Sequence, residues 1–513
     1  MKKFLFLILT FILFNFNVQS ASSQEFPYRT NDMRKLFLNN EAIIYAINIR
    51  TFSAKDKDGN EIIEKNKGEI AGNFINAIER LPELENLGIN TIHLLPITPV
   101  GKYKAIGTAG SLYAMSSLTS LNPQLKDEKN SLNINDQAKL FISECHRHGI
   151  RVIIDLPSCG SYDYYMSEPS LFVLDKKNQP VIPADWTDVR LFKTQNDDGS
   201  LNEELFLLHK KFIDMIQSLG ADGIRADVAT IKPYEFWVKL ISYAREKDPQ
   251  FLFLAEASDS WMVSPSNYAV FTNYKKLLQA GFDGYYGSYF NFKNWTSVNE
   301  LKKQVDLNIK LSNTFKDKKA VIGSFATHDE LSPIVVNGEK LSSMLTWLNA
   351  TLPLNPYYID GFITGDNYLY SYANKKADMT YTDDDYYYVH KGKIDIFNFS
   401  RMPQGHSSEI FNDYYLSIKL RQYVSDLIIK GSFRVLKTKN KKIFAYQRSY
   451  NQKNLVIILN TDFKYNQDAR VSISSCKKDA YVLPIKAISP PNITNNFIRI
   501  NMIPGEVAVI LFE

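Results

Sequence analysis

The chain has only three cysteines in 513 residues, Cys145, Cys159 and Cys476. That is too few, at too irregular a spacing, for a disulfide scaffold or a metal knuckle, so one bridge at most is available and buried free thiols are expected. A strong charge of either sign is also lacking. Sixty Lys and Arg against 55 Asp and Glu leave a formal charge of +5, too weak to point to nucleic acid or a membrane surface as partner. Internal repeats and low-complexity linkers are absent, which excludes a solenoid or a chain of tethered modules. The one long apolar run, Phe4 to Phe14, follows Lys2 and Lys3 and precedes Val18-Gln19-Ser20. It is too short for a spanning helix and reads as a signal peptide over residues 1–20. No cysteine adjoins the expected cut, so a lipoprotein is not indicated. Cleavage removes both lysines and lowers the charge to +3, and the expected destination is secreted or periplasmic, with no membrane attachment afterwards.

Hydrophobic content of 45% and charged content of 22% are those of a globular protein. Aromatics make up 13%, with 30 Tyr and 32 Phe; most belong to a core, but an exposed ring is also what stacks on a sugar face. Strand-like and helix-like patterns alternate from Ala42 onward. Strands are expected at Ala42–Ile49, Ile89–Pro96, Arg151–Asp155, before Asp227, before Glu256, at 280–285, before Asp329 and at 354–361. Helices are expected at 75–87, 135–148, 203–219 and 234–247. Such alternation predicts a parallel sheet, and eight strands predict a (β/α)₈ barrel over residues 21–429 with an insertion at 157–200. After Lys430 short strands separated by polar turns predict an antiparallel β-sandwich over 430–513.

Three acidic residues close apolar strand-like runs: Asp227 in Gly-Ile-Arg-Ala-Asp, Glu256 in Phe-Leu-Phe-Leu-Ala-Glu, and Asp329 in Ala-Thr-His-Asp. A carboxylate at the end of a buried strand loses water and needs a polar site to face. Several such ends converge at the top of a barrel. Each also has an ordinary reading: Arg225 and Asp227 as a capping ion pair, Glu256 as a helix N-terminal acid, His328-Asp329 as an N-cap pair, Tyr113 as core.

In order and position these segments resemble three signature regions of the α-amylase family of glycoside hydrolases. The resemblance runs from about Ala42 to the C-terminus and includes Leu95-Pro96-Ile97 and Pro504-Gly505-Glu506-Val507-Ala508-Val509. It implies that Asp227 is the nucleophile, Glu256 the acid and then base, and Asp329 the stabiliser of the transition state, in a retaining reaction. It further implies that Arg225 keeps Asp227 ionised, and that His328, Tyr113 and Asp155 contact the sugar, Tyr113 by stacking. The implied partner is an α-linked oligosaccharide or polysaccharide, with no cofactor; oligomeric state is not read. Family members usually carry Asn and His soon after the strand-three aspartate, where this chain has Leu156-Pro157-Ser158-Cys159-Gly160. The missing Asn is commonly a calcium ligand, so no metal ligand is assigned. That segment and Lys232-Pro233 are similar to the bacterial α-glucan maltosyltransferase branch. The alternative is a non-catalytic glucan-binding protein of the same fold. Tyr162, Tyr164, Tyr165 and Trp186 in the insertion, and the acidic aromatic stretch around 381–388, are expected to wall a compact pocket suited to short glucans.

Overall fold

The computed structural model describes residues 31–55, 57, 65–105, 110–295, 297–330, 332–365, 407–473, 480–483 and 491–512. The expected signal peptide, the 381–388 stretch and Cys476 lie outside the described residues. The chain divides into two units, one of Asn31–Trp295 with Lys303–Lys419 and one including Thr296–Lys302 and Leu420–Glu513.

The first unit contains eight parallel strands: β1 (Ile44–Ile47), β2 (Thr91–Leu94), β3 (Arg151–Leu156), β4 (Gly223–Ala226), β5 (Leu252–Ala255), β6 (Gly284–Tyr285), β7 (Ala320–Val321) and β8 (Tyr357–Ile359). Their order is β8-β1-β2-β3-β4-β5-β6-β7. The two edges meet through a parallel bridge at Ile322 and Asn355, where Gly323 N–H donates to Asn355 O at 2.8 Å and Asn355 N–H to Val321 O at 2.9 Å. The sheet is thereby closed into the expected barrel. Its strands are buried throughout, which is why they read as apolar runs without alternation. The helix Met33–Leu38 drives Met33 and Phe37 into the cluster formed by Ile44, Ile153, Leu252 and Leu254. It is pinned beside the strand starts by Arg34, which pairs with Asp283 at 2.6 Å. That face is built for stability and leaves the opposite mouth for chemistry.

Two expectations need correction. The helix read over 75–87 is three pieces, Phe74–Ala77, a 3₁₀ turn Ile78–Arg80 and Leu81–Asn86. Pro82 has no N–H to continue a helix arriving from upstream, so the axis restarts there. Asp329 was expected at a strand end; β7 is only Ala320–Val321, and Asp329 stands on the loop beyond it.

The second unit carries β9 (Ser432–Val435), β10 (Ile443–Tyr450), β11 (Lys453–Asn460), β12 (Gln467–Ser472), β13 (Tyr481–Leu483), β14 (Asn492–Ile493), β15 (Phe497–Met502) and β16 (Val507–Phe512). They form two antiparallel sheets, β9-β10-β11-β16-β13 and β12-β15-β14. Val456, Ile458 and Ile510 of one sheet share a core with Val471, Ile498 and Ile500 of the other, giving the expected sandwich. Strand β12 was not anticipated. Only Ala469 and Val471 of its Gln-Asp-Ala-Arg-Val-Ser sequence face inward, so it reads as a polar turn.

Candidate active site

Register places the central residues. Asp155 on β3 lies opposite Arg225 on β4, and Ala226 on β4 lies opposite Ala255 on β5. Asp227 and Glu256 are therefore the first residues past a paired position on neighbouring strands, which run about 4.8 Å apart. Their backbones continue the ladder, with Asp227 N–H donating to Leu156 O and Glu256 N–H to Ala226 O, both at 3.0 Å. A Cβ on Gly223 would stand 2.5 Å from the Leu252 Cβ, so only glycine fits at the start of β4.

Arg225, fully buried, ties the group together. Its Nη1 donates to Asp155 at 2.8 and 3.0 Å and to Asp227 Oδ1 at 2.9 Å, while Nη2 lies 3.0 Å from Glu256 Oε1. Nε donates to Tyr286 Oη at 3.1 Å. Burial opposes its charge, but Asp155 and Glu256 outweigh that and hold the guanidinium protonated. Asp227 Oδ2 accepts two more bonds, from Ser158 N–H at 3.0 Å and Ser158 Oγ at 2.7 Å. Glu256 Oε2 accepts one, from Val228 N–H at 2.7 Å. To make that bond Val228 adopts φ 34° and ψ 53°, a left-handed conformation that is strained for a β-branched residue and is stored at functional sites.

The two carboxyls titrate differently. Burial pushes Asp227 upward, with Arg225 and the two Ser158 donors pulling back. Glu256 is pushed up to about 8, first by burial, with Asp227 and Asp329 adding to it against Arg225. Donors to the charged form are concentrated on Asp227, so the proton resides on Glu256. Arg225 alone was expected to keep Asp227 ionised; Ser158 shares that task, because burial works against it.

Behind them runs a buried polar network. Asp155 accepts from Tyr113 Oη at 2.8 Å and faces His93 Nε2 at 3.3 Å, and His93 Nδ1 meets Tyr357 Oη at 3.0 Å. Burial raises the Asp155 carboxyl, yet Arg225 and His93 outweigh it and hold it below the carboxylate range. Burial lowers His93, so its Nε2 carries a proton toward Asp155 and its Nδ1 accepts from Tyr357. Tyr113 spends its hydrogen on Asp155, so at 2.7 Å His328 Nε2 must donate to Tyr113 Oη. The two rings stack at 5.4 Å and 6°. His328 Nε2 also lies 3.3 Å from Asp329 Oδ2.

A cavity of about 550 Å³ opens over this network, and Tyr113, Asp227, Glu256 and Asp329 line it. Asp155, Arg225 and His328 do not; at 0%, 0% and 3% exposure they stand behind the wall. Trp186, Asp188 and Val189 reach the cavity from the insertion. Tyr162, Tyr164 and Tyr165 do not, because the insertion has its own aromatic core: Tyr164 packs edge-on against Phe172 and Phe192 at 5.8 and 5.9 Å. A loop unmarked in the sequence, Ser260 to Pro265, also lines the cavity, with Met262 and Val263 at 75% and 77% exposure. Val228 and this loop carry no motif of their own, and the segment that holds Ser158 does not mark it as a donor to Asp227. Their only sequence signal is position just beyond β3, β4 and β5.

The structural calcium common in this fold family does not fit the end of β3. Cys159 is buried there, and burial raises its thiol to about 12, so it is a neutral sulfur. The buried ammonium of Lys232 sits close enough to affect that thiol. A hard cation that seeks oxygen ligands would meet a thiol and a like charge. Cys145 and Cys159 are both free and buried.

No protein-family model matches the chain. By sequence it is similar to the alpha-1,4-glucan:maltose-1-phosphate maltosyltransferase of Mycolicibacterium smegmatis, 26% identical over 210 residues, and to that of Myxococcus xanthus, 27% over 241. The matches cover 38% and 45% of this chain but 29% and 35% of those proteins, so the chain spans about a third of the relatives it matches. By structure it is similar to an alpha-amylase from Lactobacillus plantarum (TM-score 0.67, 19% identity, 93% of this chain and 99% of that one). A noncanonic maltogenic alpha-amylase from Thermotoga neapolitana gives a TM-score of 0.65, 19% identity and the same coverage. The chain has the α-amylase fold, and its sequence is similar to maltosyltransferases.

Proposed function

We propose that the chain is a secreted retaining α-glycosidase or transglycosylase acting on short α-linked glucans. Asp227 attacks the anomeric carbon as the bond to the leaving oxygen breaks, and the Glu256 proton passes to that oxygen. The intermediate is a glycosyl ester on Asp227. A water or sugar hydroxyl then attacks the same carbon, gives its proton to Glu256 and frees Asp227. Asp329, on the cavity wall, is placed to hold sugar hydroxyls as positive charge develops on the ring.

The observation that carries this reading is the shared guanidinium: Arg225 contacts Asp227 and Glu256 at 2.9 and 3.0 Å, leaving one carboxyl richly bonded and the other protonated. A cavity of about 550 Å³ suits a short oligosaccharide. Among the described residues, four carboxyl groups line it, those of Asp188, Asp227, Glu256 and Asp329, and Arg225 is consumed by its own anions. That wall favours an uncharged donor over the maltose 1-phosphate named for the relatives. The intact acid set argues against a purely binding role.

Incubation with a 2-deoxy-2-fluoro or 5-fluoro glycosyl fluoride, followed by peptide mass analysis, is expected to find the label on Asp227. A panel of malto-oligosaccharides, trehalose, sucrose and maltose 1-phosphate is expected to give short products from neutral donors. Rapid loss of starch viscosity with long first fragments would contradict the short-glucan reading. Recovery of mature protein outside the cytoplasm, cut near residue 20, tests secretion.

A further inference from the structure

Behind Asp227 lies a second buried cation that the proposed steps leave unused. Lys232 follows the 3₁₀ turn Ala229–Ile231 beyond β4 and is 1% exposed. Its Nζ donates to Ser158 O at 3.0 Å. Ser158 is the residue whose N–H and hydroxyl both hold Asp227 Oδ2. Ammonium, carbonyl, amide, hydroxyl and carboxylate thus form one connected path. The lysine is pinned from the far side as well, where its carbonyl accepts from Thr272 Oγ1 at 2.8 Å and Thr272 N–H donates to Thr230 O at 2.8 Å.

Three titratable groups act on this ammonium or feel it: Asp227 at the end of β4, Cys159 after β3, and His209 on the helix Glu203–Ser218. Burial raises the thiol to about 12 and lowers the imidazole to about 3. Both are neutral at working pH, which leaves Asp227 as the charged group of the three. An ammonium buried against one carbonyl costs stability, and an apolar side chain would fill the same space at less cost.

The geometry points to Lys232 as a positioning residue for Asp227: its ammonium fixes the two Ser158 donors and adds positive field, so the nucleophile is aimed, and its ionised form favoured, while Lys232 is protonated. The inference rests on the reading of Asp227 as nucleophile. It goes further in making a residue that never touches sugar set the working pH range. Burial lowers Lys232 to about 8, with Cys159 and Asp227 pulling it back up. Between about 8 and the ordinary lysine value the unfolded chain binds more protons than the native one. The contribution of Lys232 to stability therefore rises with pH across that window. Activity is expected to fall across the same window. A merely structural lysine would move both together.

The test compares Lys232→Met, Lys232→Arg and Thr272→Val on a neutral malto-oligosaccharide. Lys232→Met is expected to lower kcat/KM roughly 10- to 100-fold, mostly in kcat, with KM little changed. Its acid limb moves to higher pH because Asp227 has lost a cation, while its melting temperature at neutral pH stays level or rises. Lys232→Arg keeps the charge and is expected to hold the acid limb at the parent position. Thr272→Val loosens the same backbone without touching charge and leaves that limb in place. Parent-like kcat/KM and acid limb in Lys232→Met would overturn the inference, as would an equal limb shift in Thr272→Val. If Lys232→Met does not fold, the parent decides. Its alkaline limb should be steeper than one deprotonation gives, with the native fold retained; a single-proton limb overturns the inference. A parent that never carries label on Asp227 would instead defeat the nucleophile reading itself.

Discussion

The ends of β4 and β5 are built alike and behave differently. Each strand ends in alanine followed by an acid, each acid is mostly buried, and both touch the same guanidinium. Yet Asp227 accepts three bonds, and Glu256 accepts one besides its ion-pair contact. Residue type and burial do not divide the roles of two carboxyls; the donors around them do. Replacing each acid should break the comparison most visibly. Asp227→Ala is expected to lower kcat by roughly four orders of magnitude or more on every donor, since the nucleophile itself is lost. Glu256→Gln should cost about 10²- to 10⁴-fold on a sugar leaving group. On a glycosyl fluoride, whose leaving group needs no proton, the first step of Glu256→Gln should recover while Asp227→Ala stays dead. Equal behaviour of the two variants on both donors would sink the assignment.

Titration sharpens the same contrast. Glu256 must be protonated to act as acid, so activity on sugar leaving groups should fall as pH rises through about 8. Its folded pKa lies above its unfolded value, so the native state binds more protons between the two. The stability this proton provides is present at low pH and is lost as pH climbs through that window. Glu256→Gln removes the dependence. The variant should therefore be more stable than the parent above about pH 8, by a few kcal/mol. Urea melts at pH 6 and 9 measure this, and a parallel loss in both proteins would mean that Glu256 is not the group titrating.

A milder change moves Asp227 toward Glu256. Ser158→Ala deletes the hydroxyl bond to Asp227 Oδ2 but leaves the amide bond. One hydrogen bond to a charged group is worth about 1.5–3 kcal/mol. The acid limb of kcat/KM should therefore shift upward, with kcat/KM lower by roughly tenfold or more at its optimum. An unmoved limb would mean that Arg225 keeps Asp227 ionised without help.

Much of this was legible in the chain, for a physical reason. Buried parallel strands demand continuous apolar residues, so β3 and the runs before Asp227 and Glu256 stood out, and a charge ending such a run needed a polar site to face. What stayed hidden depends on neighbours rather than pattern. Nothing marks Ser158 as the donor to Asp227 until β3 and β4 pair. Nothing marks Val228 as the donor to Glu256 before its left-handed turn exists. Asp155, Arg225 and His328 were singled out as sugar contacts, because the sequence could not tell the cavity wall from what stands behind it. Strand β12 was missed because it shows the core only two side chains.

The smallest expected effect concerns metal, and it tests whether the difference between the two acids is the protein's own work. The groups that set Asp227 apart are Ser158 and the ammonium of Lys232, both covalent parts of the chain. At the end of β3 a calcium ion would have to displace that ammonium and accept a neutral Cys159 thiol in place of oxygen. A metal bound only by the native state at a hundred times its Kd would add about 2.7 kcal/mol. In a barrel of this size that is several degrees of melting temperature. EDTA is expected to shift the melting temperature by less than about 1 °C and to leave the acid limb of kcat/KM where it was. A drop of several degrees that calcium restores would place a cation in this structure. If the acid limb moved with it, that cation, and not Lys232, would be what holds the Ser158 donors against Asp227.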